Sequence, residues 1–497
     1  MAARSAGLLL HVTSLPGRFA VGDLGPAASR FLEWAESAGQ ALWQVLPLHP
    51  TGEDVSPYGA RSAFAGNPLL VSPERIVEDG LCAPKDLDDA PPAASDAVDF
   101  AGARDWKEKF LRRAWMRFPA DGRLRDDLDV FRESSGAKWL SDWALFAALK
   151  ATRGGRWTSW SKGLAEREPG ALAEAAAELA DEIAYQEFLQ FLFFRQWINL
   201  REEAKRRGIS VIGDVPIYLA HDSADVWVNR DSFLLREDGL PDFVAGVPPD
   251  AFTAAGQLWG YPLYRWEKME QDGFAWWIAR MRAAARLYDL VRVDHFRAFA
   301  AYWAVPAGDQ DARGGEWRPG PGEKLWRAVA EALGRLPVIA EDLGTITPDV
   351  EELRDSLGIP GMKVLQFAFS EDDSPHMPHR HVGNSFVYTG THDNDTTRGW
   401  YGELPLSERE RARGYLGSDG HEIEWDMIRA AHTSVADRAV VPLQDVFSLG
   451  GEARMNNPGK ALGNWTWRAH AEDFTPERAA RLRRFGELTG RTEKSSL

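Results

Sequence analysis

At 497 residues, 44% hydrophobic and 27% charged, the chain has the composition of a globular protein. Its core is large enough for one big domain with insertions, or for two or three domains. A net charge of −16 argues against a nucleic-acid partner, which needs a basic face, and is compatible with a neutral substrate. No apolar run is long enough to span a membrane, no cleavage-site pattern marks a signal peptide, and a single cysteine, Cys82, allows no internal disulfide, so the expected location is a reducing cytoplasm.

Eight short apolar runs read as strands: 7–12, 41–48, 209–219, 290–296, 337–343, 361–369, 385–393 and 439–447. Several are near-continuous Val, Ile and Leu, as in strands covered on both faces. Helical segments alternate with them. Residues 27–38 stop at Gly39, and 181–207 stop at Gly208. Thr347-Pro348 opens a helix that closes at Gly358, and Thr475-Pro476 opens the last one. The alternation predicts a (β/α)8 TIM barrel. A doubly wound open sheet would need a phosphate-binding glycine turn after the first strand, and HVTSLPG is not one.

Two gaps exceed a simple crossover. Residues from about 52 to 180, after the second strand, and from about 220 to 275, after the third, are read as helical and loop insertions at the C-terminal rim of one domain spanning 1–497. The Pro/Gly-hinged segment 246–260 is the candidate lid. Most of the 21 tryptophans are expected in the core, and some as flat platforms for sugars.

Carboxylates collect at the C-terminal ends of the strands: Asp214, Asp294, Glu341 and Asp342, Asp393 and Asp395, and Asp445. Any one alone reads as a helix cap or an arginine partner. Together on the fourth, fifth and seventh strands they read as one site, because that rim of a barrel gathers catalytic groups. In LVRVDHFRAF (290–299), the two-residue period puts Arg292 and Asp294 on one face and His295 on the other. Glycosidic bond exchange needs one carboxylate kept ionised and one acid kept protonated. Arg292 suits Asp294 to the first role. The apolar residues Ile339 and Ala340 suit Glu341 to the second. The residues alone do not choose between Glu341 and Asp342, or between Asp393 and Asp395.

A metal is the competing reading of His392-Asp393-Asn394-Asp395 and of His376, His379 and His381. Adjacent strand residues point to opposite faces, so the four cannot all reach one ion, and the three histidines read as loop hydrogen-bonders. No metal or other cofactor is expected.

RVDHFR, AEDLG and THDND, in this order, resemble the three catalytic motifs of the α-amylase clan. LHVTSLPG (10–17), SPYGARSAFAGNPLL (56–70), GDVPIYLAHDSADVW (213–227), GVPPDAF (246–252), GQLWG (256–260), GIPGMKVLQFAF (358–369) and LGNWTWR (462–468) are similar to its amylomaltase branch, glycoside hydrolase family 77. The resemblance implies a (β/α)8 barrel with no separate C-terminal β-sandwich, and a 4-α-glucanotransferase working by retaining double displacement, cyclisation included. It implies Asp294 as nucleophile, Glu341 as general acid/base and Asp393 as the third acid. It implies Arg292 as the residue orienting the nucleophile, Tyr58, Asp214, His392 and Asn464 as binding sugar at the cleaved position, and Gln257 and Trp259 near the acceptor. His49, Glu53, Ala251, Tyr261 and Ser370 depart from the family's usual residues, which touches acceptor and lid detail but not the three acids. The implied partners are malto-oligosaccharides and 1,4-α-glucans from starch or glycogen. A monomer and a small homo-oligomer fit equally. An α-amylase-type hydrolase is the first alternative and a non-catalytic glucan-binding protein the second.

Overall fold

The computed structural model describes residues 4–492 apart from 53, 94–95, 120–121, 135–137, 250–252 and 461. Its strands, in chain order, are β1 Ser5–Leu9, β2 Leu42–Gln44, β3 Ser210–Val215, β4 Phe243–Val247, β5 Gln257–Pro262, β6 Leu290–Val293, β7 Ala301–Pro306, β8 Glu316–Pro319, β9 Val338–Ala340, β10 Gly361–Val364, β11 Ser385–Tyr388 and β12 Arg438–Pro442. Eight of them pair in parallel in the order β10-β11-β12-β1-β2-β3-β6-β9. The two ends of that order meet. Ala340 N–H donates to Pro360 O at 2.9 Å, and Met362 N–H donates to Asp342 Oδ1 at 2.7 Å. The ring is therefore a (β/α)8 barrel. Leu9, Leu42, Ile212, Ile339, Met362, Phe386, Tyr388 and Val440 fill its interior, and Tyr388 OH finds Gln44 Oε1 at 2.9 Å there.

All eight expected barrel strands are present, but shorter than expected. The run 209–219 stops pairing at Val215 because Pro216 has no N–H for the ladder. Its Pro216 and Ile217 carbonyls instead accept from the Arg280 guanidinium. The run 361–369 turns into a 3-10 helix at Leu365–Phe367. Shortening frees the residues past each strand to turn into the rim.

The helices Pro26–Ser37, Ala180–Arg206, Pro348–Ser356 and Pro476–Leu488 match their sequence signals. Gly39, Gly208 and Gly358 take the positive φ that ends such helices. Thr475 Oγ1 caps its helix from Arg478 N–H at 3.3 Å. Thr347 does not cap: its Oγ1 accepts from Arg297 at 3.3 Å.

A second sheet was not legible in the sequence. β5-β4-β7-β8 form an antiparallel sheet, and β7 and β8 lie in the connection after β6, where no insertion was expected. Its short, Gly- and Pro-containing strands lack a strand's usual pattern. Gly246 lies so close to β5 that a Cβ there would stand 2.5 Å from Gln257 O. The expected lid 246–260 is thus mostly the β4–β5 hairpin. Its tip, with Ala251, falls outside the described residues, as does Glu53. Among the described residues no β-sandwich follows β12, and no helix is long and apolar enough to cross a membrane.

The barrel seam can be tested. Asp342, with its side chain 2% exposed, pairs with Arg354 while joining β9 to Met362. Arg354→Ala should strand a buried acid and lower stability by about 3 kcal/mol, measured by denaturant unfolding. No change would mean the seam does not depend on the pair.

Candidate active site

The ends of β3, β6 and β9 and the loops after β2 and β11 meet at the C-terminal rim. Arg292 Nη1, on β6, lies 2.9 and 2.7 Å from the two Asp214 oxygens and 3.0 Å from Asp294 Oδ1. The shared face of Arg292 and Asp294 is therefore real, and the guanidinium serves two acids. Asp214 is fully buried, whereas the Asp294 side chain keeps 26% of its surface toward the cleft. Asp214 does not reach the cleft in this arrangement. It holds Arg292, and it accepts from Tyr58 OH at 2.7 Å.

Immediately after Asp294 the chain breaks its strand. His295 adopts φ 50°, ψ 50°, a left-handed conformation uncommon outside glycine. That turn aims His295 N–H at Glu341 Oε2, 2.7 Å away, while Leu343 N–H reaches Glu341 Oε1 at 3.0 Å. Backbone bonds flank the contact: Glu341 N–H to Val293 O at 3.1 Å and Phe296 N–H to Glu341 O at 3.0 Å. Asp294 and Glu341 are thus neighbours across one peptide.

Their proton affinities differ. Burial, with Asp214 and Asp393 nearby, pushes Asp294 up to about 6 against the pull of Arg292. Arg292 acts on Asp294 in the expected direction, but burial outweighs it. Burial and the Asp294 charge push Glu341 up to about 8, although Arg292 and His295 N–H act the other way. Near neutrality one acid is ionised and the other protonated, the division that acid and nucleophile require.

Asp393 has its side chain 42% exposed. Asn456 Nδ2 donates to its Oδ1 at 2.6 Å, Arg454 holds its carbonyl at 2.7 Å, and His392 Nε2 is 3.3 Å from its Oδ2. Tyr58 uses its one proton on Asp214, so its 2.8 Å contact with His392 Nε2 has the imidazole donating. His392 Nδ1 is buried with no hydrogen-bond partner among the described residues, which fits the Nε2–H tautomer. Burial keeps this ring neutral by lowering its pKa. The rings of Tyr58 and His392 stack at 5.3 Å, with Trp465 5.9 Å from Tyr58. His392, 1% exposed, acts from behind Asp393.

Other acids of the rim are structural. Asp342 is in the barrel seam. Asp395 Oδ1 accepts from Thr396 N–H at 2.7 Å. Asp445 accepts from Thr389 at 2.5 Å and twice from Thr397 at 2.7 Å. The expected histidine cluster is hydrogen-bonded piecemeal: His379 to Tyr415 OH at 2.9 Å, and His381 to Ser434 at 2.7 Å. Among the described residues no group of three or more metal-ligating side chains converges.

Gln257, Trp259 and Tyr261 share one face of β5 by the two-residue period. Trp259 Nε1 donates to Gln257 Oε1 at 3.2 Å, and its ring meets the His295 ring edge-to-face at 4.8 Å. Asp294 and Asp54 raise the Tyr261 hydroxyl to about 12 after burial has done most of it. His49 is buried, with Nδ1 2.9 Å from Ala65 O, and Ser370 is exposed. Asn464 is not turned toward the carboxylates. Its Oδ1 accepts from Asn457 N–H at 2.9 Å, and its Nδ2 donates to Lys460 O at 2.8 Å, which closes its own loop. Asn456, Arg454 and Trp465 had no sequence reading as site residues. Trp465 sits at φ 67°, in a loop without periodicity, and the Asn456-Asn457-Pro458 turn was the one available signal.

A family model described as 4-alpha-glucanotransferase matches residues 10–473. The chain is 48% identical over 496 residues to a 4-alpha-glucanotransferase of Synechocystis sp., covering 98% of each. It is equally 48% identical, over 500 residues, to one of Thermus thermophilus, covering 98% of this chain and 99% of that one. The amylomaltase from Streptococcus agalactiae in complex with acarbose superposes with a TM-score of 0.95 at 35% identity, over 98% of this chain and 99% of that chain. By sequence and by fold, the chain belongs to the 4-alpha-glucanotransferase family and is an enzyme of that class.

Proposed function

We propose that the enzyme moves a segment of a 1,4-α-glucan to the 4-hydroxyl of an acceptor sugar through a covalent glycosyl–Asp294 intermediate. Asp294 attacks the anomeric carbon while Glu341 protonates the departing oxygen. Glu341 then takes the proton of the acceptor hydroxyl as that oxygen displaces Asp294. The single observation that carries this reading is the contact of His295 N–H with Glu341, which seats the acid one peptide from Asp294. Arg292 orients Asp294 and offsets its charge. Asp393 receives sugar hydroxyls, braced by Asn456 and His392, with Tyr58 and Asp214 behind them. Gln257 and Trp259 line the acceptor side. When the acceptor is the far end of the same chain, the product is a cycle.

The acarbose held by the Streptococcus agalactiae amylomaltase supports malto-oligosaccharides, and hence starch- or glycogen-derived glucans, as ligands here. A reducing, cytoplasmic setting fits the lone buried Cys82.

The test is a time course with maltotriose in EDTA. A ladder of longer chains plus glucose, with no net gain of reducing ends, supports transfer. Glucose and maltose alone would make the enzyme a hydrolase.

The pH profile follows from the two acids. Asp294 must be ionised, so kcat/KM falls as pH drops through about 6. Glu341 must be protonated, so kcat/KM falls as pH rises through about 8. The limbs belong to the pair, since the groups interact. A profile flat from 5 to 9 would contradict these assignments.

A further inference from the structure

Apart from the three rim acids Asp294, Glu341 and Asp393, the loop after β1 and the segment following Trp467 line an open cavity of about 370 Å³. Its wall carries Arg18, Arg30, Arg468 and His470, against Asp23 and Glu74. In a chain of net charge −16, such a basic concentration is unusual.

The cations are under-used. Arg468 is 2% exposed; its Nη2 donates to Gly17 O at 2.8 Å, but its Nη1 is buried without a hydrogen-bond partner among the described residues. No carboxylate hydrogen-bonds this buried guanidinium, although the Asp23 charge acts on it from across the cavity, and an anion against it would offset its burial further. Arg30 is exposed at the rim, and its charge acts on Glu74. Arg18 Nη2 donates to Leu87 O at 3.1 Å and makes a solvent-exposed 3.4 Å pair with Asp88.

The acids oppose an anion less than their number suggests. Asp23 is already compensated: its Oδ2 meets the buried Lys107 ammonium at 3.1 Å, and its Oδ1 accepts from Gly25 N–H at 3.0 Å. Glu74 lies opposite Asp23; burial and then the Asp23 charge raise its pKa, while Arg30 and Arg18 act the other way. Ala27, in the first turn of helix Pro26–Ser37, also lines the space, which adds the positive end of a twelve-residue helix.

We propose that this cavity binds a small phosphate dianion, either free phosphate or the phosphate of a sugar monoester, between Arg468, Arg30 and Arg18. The guanidinium fork suits tetrahedral oxyanions better than a halide. None of the residues lining it is among those assigned to the glucan.

Titration calorimetry on the full-length enzyme, at constant ionic strength in chloride, tests this with two probes, inorganic phosphate and glucose 6-phosphate. One saturable site for either probe is expected. Equal binding of both makes phosphate alone sufficient, and binding of glucose 6-phosphate alone means the sugar contributes. Arg30→Ala should weaken binding about tenfold, the worth of one charge-assisted hydrogen bond. Glu74→Gln should tighten it, with the fold checked by unchanged Tm in both variants. No saturable heat for either probe, or binding indifferent to Arg30→Ala and Glu74→Gln, would overturn the proposal.

Discussion

Asp294→Asn should abolish transfer and hydrolysis together, lowering kcat by roughly 10⁴-fold or more, because it removes the group that forms the covalent bond. The substitution keeps the side chain's shape, and Arg292 keeps its pair with Asp214 at 2.7 Å. Tm should therefore move little, which separates lost chemistry from lost fold. A donor with a fluoride leaving group should not rescue this variant, since ease of departure does not replace the attacking atom. Measurable turnover of maltotriose by Asp294→Asn would place the nucleophile elsewhere.

Glu341→Gln should behave differently. With maltotriose, whose leaving oxygen needs a proton, kcat/KM should fall by about 10³- to 10⁴-fold. With α-maltosyl fluoride, which leaves unprotonated, the first step should recover while the second, which needs a base, stays slow. The glycosyl-enzyme should then accumulate and appear in the intact mass of the protein. Absence of both fluoride rescue and accumulation would reduce Glu341 to a structural role. The pair of variants is informative because the two carboxylates are linked through one N–H: damage to the shared scaffold would make them fail alike.

Much of this was legible before any coordinates. The eight barrel strands followed from apolar runs alternating with helices, the rim from where carboxylates stand, and the Arg292–Asp294 face from a two-residue period. The choice between neighbours did not follow. Glu341 and Asp342 differ by one position, and only the register shows that one turns into the cleft while the other holds Arg354 and Met362. Asp393 and Asp395 part in the same way. Asp214 and His392, which the resemblance implies bind sugar, are both buried in the fold, Asp214 against Tyr58 and Arg292 and His392 against Tyr58 and Asp393. Burial of a polar side chain depends on what later folds over it, which no local pattern encodes. The β4–β5–β7–β8 sheet was missed for a related reason. The β4–β7 pairing that joins its two hairpins links residues about sixty apart, and its strands are short and half exposed.

The left-handed turn at residue 295 also bears on how the site can vary. In the sequence, His295 reads only as lying on the face of the strand opposite Arg292 and Asp294. In the fold, its main-chain N–H does the holding, and its φ of 50° is what points that N–H at Glu341. The alphabet open to this position is therefore short: histidine, asparagine, aspartate and glycine tolerate such a bend, and β-branched residues do not. Drift at this position is filtered first by the shape of one peptide, and only afterwards by what an imidazole can do.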